Sequence, residues 1–237
     1  MTKKILVVGA HSADFVWRAA GTIAIITSQG GSASVVALSY GERGESGELW
    51  KEQDQTVENV KRIRHNEAQA AAKVVGAEFL CLDLGDYPLN MTEAAIEQLA
   101  GIFQDFQPNI ALTHNPVDPF NPDHPVASQL VQKARLLSTG AGVASAFSRI
   151  LPPDLYFFEP HQPELCDFKP NVFVDITQVM EKKIQAMDAM KAQSYLHKYY
   201  SELASRRANH ARRISGNAGI KFAEAHFRTL PSVVTSL

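Results

Sequence analysis

Cysteine is scarce: Cys81 and Cys166 are the two in 237 residues, too far apart to frame a disulfide scaffold and in no CxxC pair that would hold a metal. A reducing, cytoplasmic setting is the expectation. An excess of charge of one sign is also lacking. The 23 Lys and Arg nearly balance the 25 Asp and Glu, leaving a net charge of −2 and no electrostatic pull toward nucleic acid or membranes. Long hydrophobic runs are missing too. The apolar stretch 5–10, behind Met-Thr-Lys-Lys, is shorter than a signal-peptide core and much shorter than a membrane span, so neither export nor anchoring is expected. No repeat, low-complexity tract or linker divides the chain. One domain over 1–237 with small-molecule partners is therefore expected, since this length buries an adequate core without disulfides.

What is present is alternation. The run Ile-Leu-Val-Val-Gly-Ala over 5–10 has the continuous apolar character of a parallel strand covered on both faces. A helix is predicted over 14–29, a strand over 33–38, a helix over 56–75 and a strand over 79–82. A helix over 92–106 follows, which the Thr92 hydroxyl can cap, and then a strand over 109–113 behind Pro108. A further helix runs from His124 to about 137, with strands at 155–158 and 172–174 and a helix starting near 178. The small-residue stretch 138–148 reads as a mobile loop. The tail from about 195 is basic and aromatic, with Arg206, Arg207, Arg212 and Arg213 close together. It is expected to be helical and either solvated or in contact with another subunit. The fold class is α/β: a doubly wound, mostly parallel, Rossmann-like sheet flanked by helices. In such a sheet the ligand site lies outside the carboxyl ends of the strands.

That rule directs attention to three loops: 11–14, 41–48 and 114–124. His11-Ser-Ala-Asp14 places an imidazole and a carboxylate three positions apart where a strand turns into a helix, so both can face one ion. With 8 histidines and 25 acidic residues such a pair also arises by chance, and His161 and Glu164 form another; position decides in favour of the first. The bland alternative is a satisfied histidine and an aspartate capping the helix. The segment Thr113-His-Asn-Pro-Val-Asp-Pro-Phe-Asn-Pro-Asp-His124 tilts the balance, because it concentrates imidazoles and carboxylates in a loop stiffened by proline. His124 would complete a set of His11, Asp14 and His124 with open positions for water or substrate. Asp123 is the candidate acceptor that fixes the tautomer of a ligating imidazole, and His114 a supporting side chain behind the ligands.

The order Ala-His-x-x-Asp14, Arg64-x-x-Glu67 before Ala70 to Ala72, and Asn-Pro-Asp-His124 resembles the zinc-dependent deacetylases of the PIG-L, or LmbE-like, family. In that family the first motif usually reads Ala-His-Pro-Asp-Asp, and its first aspartate is the general base of amide hydrolysis. This sequence has Ala13 there, and alanine accepts no proton. Ala-His-Ser-Ala-Asp-Phe-Val-Trp17 resembles instead the 4-oxalomesaconate hydratase branch, which adds water across a carbon-carbon double bond in gallate and protocatechuate breakdown.

This resemblance implies a tricarboxylate substrate, 4-carboxy-4-hydroxy-2-oxoadipate as product, zinc or another divalent ion as cofactor, and a homo-oligomer. It also points to Glu48 as acid/base, with Glu42 and Glu45 of the same loop equally available by composition. His161 is its partner. Arg18 and Arg43 lie nearest the metal loops and are the candidates for substrate carboxylates. Two other readings stay open. One is an amino-sugar N-deacetylase in which Asp118 or Glu48 activates water; the other is a metal- or ligand-binding relative without catalysis.

Overall fold

The computed structural model describes residues 2–143, 148–231 and 233; within the small-residue stretch 138–148, residues 144–147 lie outside the described residues. Seven strands form one sheet: β1 (Lys4–Gly9), β2 (Ser32–Ala37), β3 (Glu78–Cys81), β4 (Ile110–Thr113), β5 (Asp154–Phe158), β6 (Val172–Asp175) and β7 (Ala223–Arg228). They lie in the order β3-β2-β1-β4-β5-β7-β6. The helices are α1 (Asp14–Ser28), α2 (Val57–Val75), α3 (Glu93–Phe106), α4 (Asp123–Leu137), α5 (Met180–Ala189) and α6 (His197–Ser215). A 3-10 segment, Lys191–Leu196, joins α5 to α6. The Thr92 hydroxyl accepts from Ala95 N–H, as its position before α3 predicts, and Thr56 caps α2 in the same way.

β1 is buried from Ile5 to Gly9 because both its faces are covered. Ile5 and Val7 pack with α1, α2 and α5 on one side, whereas Leu6 and Val8 pack with α3 and α4 on the other. The chain leaves β1 toward β2 and β3, then returns to place β4 along the opposite edge of β1. Connections therefore diverge between β1 and β4. Here the loops after the two strands cannot block each other, and a crevice opens at their carboxyl ends.

The expectation of a helical tail is corrected. Helix α6 ends at Ser215, with Gly216 in the left-handed conformation, and the chain re-enters the sheet as β7, antiparallel to both β5 and β6. A buried polar pin fastens β7 to α1. The Glu224 carboxylate accepts from Gly21 N–H at 2.9 Å and from Thr22 N–H and Oγ1 at 2.7 Å each, and Lys183 Nζ donates to it. A side chain at Gly21 would meet Ile176, so glycine lets the segment after β6 lie close to the helix. Burial alone would raise the Glu224 carboxyl, but Lys183, then His226, hold it below the ordinary range. The pin is therefore complete above the ordinary carboxylate range and weakens as pH falls through the lower folded-state value.

Lys183→Met is expected to destabilise the fold by about 3–5 kcal/mol, because it leaves the Glu224 charge buried without its counter-ion. A urea midpoint equal to that of the parent chain would show that this pair does not fasten β7.

Candidate active site

Loop 10–13 follows β1, loop 114–122 follows β4, and both meet at the crevice. His11 is fully buried, and its two ring nitrogens face different groups. Nδ1 lies 3.2 Å from Glu45 Oε1 and 3.6 Å from Asp14 Oδ2; Nε2 lies 3.2 Å from Asp86 Oδ1 and 3.5 Å from Asp123 Oδ2. None of these approaches has hydrogen-bond geometry, so both nitrogens are buried without a hydrogen-bond partner. His124 enters from the first turn of α4. Its Nδ1 pairs with Asp118 Oδ2 at 2.8 Å, which turns Nε2 toward Asp14 Oδ1, 3.8 Å away, and Glu45 Oε1, 3.9 Å away. That Nε2 is also buried and unpartnered.

One donor atom each from His11, Asp14, Glu45 and His124 lie within 4.8 Å of one another. The set expected from sequence, His11, Asp14 and His124, is thus gathered at one point, and Glu45 joins it.

Electrostatics favour a cation at this point. Carboxylates of Asp14, Glu45, Asp86, Asp118 and Asp123 crowd around two imidazoles. Burial disfavours charge on His11, but Glu45, Asp123, Asp14 and Asp86 outweigh it and lift this imidazole well above its usual range. Burial likewise works against ionisation of Glu45, and His11 and His124 pull it back down to about 2. His114 sits behind the cluster with its ring stacked on His124, centroids 3.9 Å apart. Burial, reinforced by His124, drives its pKa down to about 3, so it is neutral. Its Nε2 accepts from Ala10 N–H at 3.0 Å and lies 2.9 Å from Asp14 Oδ2. Orphaned imidazole nitrogens, excess carboxylate and mixed N/O donors together fit a divalent ion.

The supporting residues tie the loops together. Asp123 accepts from Tyr87 N–H at 3.0 Å and Leu89 N–H at 2.9 Å, so it anchors the segment after β3 as well as facing His11. Asp86 accepts from the backbone N–H groups of Arg43 and Gly44, and so holds the loop that carries Glu45. Gly41 makes that loop possible: its φ is +71°, and a side chain there would crowd the His11 Cβ at 3.1 Å.

Three sequence-based expectations need revising or completing here. Glu48 is not at the cluster: its half-exposed side chain pairs with Lys51 Nζ at 2.7 Å on the outer side of the loop. Glu45, three residues earlier, faces inward. The Arg43 side chain is exposed and only its backbone N–H serves the site, through Asp86. Arg18 does reach the crevice: Nε lies 3.5 Å from Asp14 Oδ1 and Nη1 donates to the Glu159 carbonyl at 3.0 Å.

The crevice encloses about 260 Å³ and is lined by Arg18, Glu45, His124, His161, Gln193 and Tyr195 among others. Burial and Arg18 lower the pKa of His161. Asp86 and Gln193 carry no motif, although the carboxyl-edge rule applied to the loop after β3 points at Asp86.

A mostly parallel α/β sheet with a buried His/Asp/Glu cluster at its switch point is an arrangement that could hold a cation beside a small-ligand crevice. The chain belongs to the PIG-L family: the family model described as GlcNAc-PI de-N-acetylase matches residues 6–135. It is 42% identical to a 4-oxalmesaconate hydratase of Pseudomonas putida, over 99% of this chain and 92% of that protein. The crystal structure of GalB, the 4-carboxy-2-hydroxymuconate hydratase of Pseudomonas putida, superposes with a TM-score of 0.96 over 99% of both chains, at 42% identity. A diacetylchitobiose deacetylase of Thermococcus kodakarensis is a more distant relative, 29% identical over 81% of this chain and 70% of its own length.

Proposed function

We propose that this protein is a metal-dependent hydratase. In this reading it adds water to the carbon-carbon double bond of 4-oxalomesaconate, giving 4-carboxy-4-hydroxy-2-oxoadipate in the breakdown of gallate or protocatechuate. The observation that carries the reading is Ala13. It stands where the deacetylases of the family have their base, and it is wholly buried in the core with no proton acceptor to offer, while the Glu45 carboxylate reaches the cluster from another loop. The 42% identity to a hydratase along nearly the whole chain supports it.

A divalent ion held by His11, Asp14 and His124, zinc in this reading, supplies positive charge for a substrate carboxylate and its neighbouring oxygen and for the charge that develops during addition. Arg18 offers the substrate a second cationic contact, aimed into the crevice by its bond to the Glu159 carbonyl. Hydration removes one proton from water and delivers one to carbon. The ionised Glu45 carboxylate is suited to accept the first on the cluster side of the crevice, and His161, held neutral by burial and Arg18, to take that proton on and deliver it to carbon. Asp118 orients the His124 ring through Nδ1, and the Asp86 and Asp123 carboxylates flank His11 Nε2 at 3.2 and 3.5 Å.

The whole chain acts as one catalytic domain and, by the same resemblance, as a cytoplasmic homo-oligomer. Among the described residues no helix is long and apolar enough to cross a membrane.

The test is to supply the metal-loaded protein with the unsaturated tricarboxylate and, separately, with an N-acetylglucosaminyl compound. Loss of the conjugated absorbance of the first, with no acetate from the second, is expected. Robust acetate release without hydration would favour the deacetylase reading, and bound metal with neither reaction would favour a binding protein.

A further inference from the structure

The Arg64-x-x-Glu67 pair lies away from the cation cluster, yet its guanidinium is wholly buried. Arg64 is fully buried in the middle of α2, where its Nη1 donates to Glu67 Oε2 at 2.9 Å. Both residues then turn to the segment between α5 and α6. Glu67 Oε1 accepts from Ala192 N–H at 2.9 Å, and Arg64 Nη2 donates to Gln193 Oε1 at 2.8 Å. Gln193 breaks the local helical path, with φ −130° and ψ 27°, and its side chain is thereby directed inward and buried.

The orientation of the Gln193 amide follows from its partners. Trp17 Nε1 also donates to Oε1, at 3.3 Å, so two obligate donors converge on one atom and that atom must be the oxygen. Nε2 therefore points the other way, to Glu45 Oε2 at 3.4 Å. The two oxygens of Glu45 are thus divided. Oε1 faces His11, His124 and the Asn121 amide, and Oε2 is held by Gln193. Glu45 rides on a glycine-flanked loop, and a carboxylate on such a loop has no single rotamer unless something fixes its far oxygen.

We propose that Gln193 is the positioning residue for Glu45, and that the buried Arg64–Glu67 pair exists to hold Gln193 in the orientation that presents its N–H groups to that carboxylate. The inference rests on the reading of Glu45 as part of the catalytic machinery. It assigns a task to a charged pair that the reaction itself does not use.

Gln193→Glu separates positioning from folding. The new carboxylate still accepts from Arg64 and Trp17, so the packing of the segment is kept, but an oxygen replaces the N–H that faces Glu45. With metal content and thermal midpoint held near those of the parent, kcat is expected to fall 10–100-fold and KM to move far less, the usual range for partners that orient a functional group. Gln193→Met, which removes both the acceptor and the donor, serves as a second variant. In a Glu45→Gln background the Gln193→Glu change is expected to cause no further loss, because the group it orients has gone. A merely structural Gln193 would lower activity by the same factor in both backgrounds, and that result, or unchanged kcat in both Gln193 variants, would overturn the proposal. If Glu45→Gln alone kept full turnover, the reading of Glu45 would fail first and independently.

Discussion

Glu45→Gln is expected to lower kcat by ~10²–10⁴-fold, the range for loss of a positioned acid/base group, while the bound metal stays in place. Glutamine preserves the volume and keeps one acceptor oxygen for either Asn121 or Gln193, while Asp86 still holds the loop through the Arg43 and Gly44 N–H groups. What disappears is a carboxylate 3.2 Å from His11 Nδ1, the one acidic group at the cluster, among the described residues, that neither belongs to the His-x-x-Asp motif nor anchors backbone. Glu48→Gln, by contrast, is expected to leave kcat unchanged, since that side chain pairs with Lys51 at the surface. Steady-state assays on the two variants, each with its metal content measured, decide the matter. A dead Glu48 variant beside an active Glu45 variant would refute the assignment.

His124→Ala is expected to strip both metal and turnover together. Its Nε2 is buried, unpartnered and turned inward by Asp118, so the ring has no other evident task at the crevice. Removing one of two imidazoles from a mixed N/O set leaves mainly carboxylates, which hold softer divalent ions poorly. Asp118→Asn should be milder, weakening metal affinity 10–100-fold through misorientation of the same ring. Elemental analysis of each purified variant gives the answer. Stoichiometric metal in the His124 variant would remove this residue from the ligand set.

The parts of this molecule visible in its sequence are those written in periodicity and local chemistry. The uninterrupted apolar run of β1 reads as a strand covered twice, and Thr56 and Thr92 sit one residue before helices that they cap. β7 was hidden. In Ala-Glu-Ala-His-Phe-Arg the first four residues are all buried and two of them, Glu224 and His226, are polar, so the segment lacks the apolar run of a strand covered on both faces and looks like part of a polar helix. Only the partners supplied by Gly21, Thr22 and Lys183 make burial of those groups tolerable.

The site divides along the same line. His11, Asp14 and His124 are legible because a strand end and a helix start fix where short side chains point, and the carboxyl-edge rule brings such ends together. In the loop Gly-Glu-Arg-Gly-Glu-Ser-Gly-Glu, composition leaves Glu42, Glu45 and Glu48 equivalent. The choice among them is made by Asp86 gripping the Arg43 and Gly44 backbone, by Gly41 turning the chain beside His11, and by Gln193 reaching across from another part of the fold. Sequence by itself determined the alternating α/β order, singled out His11, Asp14 and His124 as the candidate ion-holding triad and, through the resemblance to the family motif, placed Ala13 where that motif has its base. Tertiary structure alone decided which glutamate faces inward and where the tail returns, because both depend on hydrogen bonds between segments far apart in the chain, whose energy no local pattern encodes.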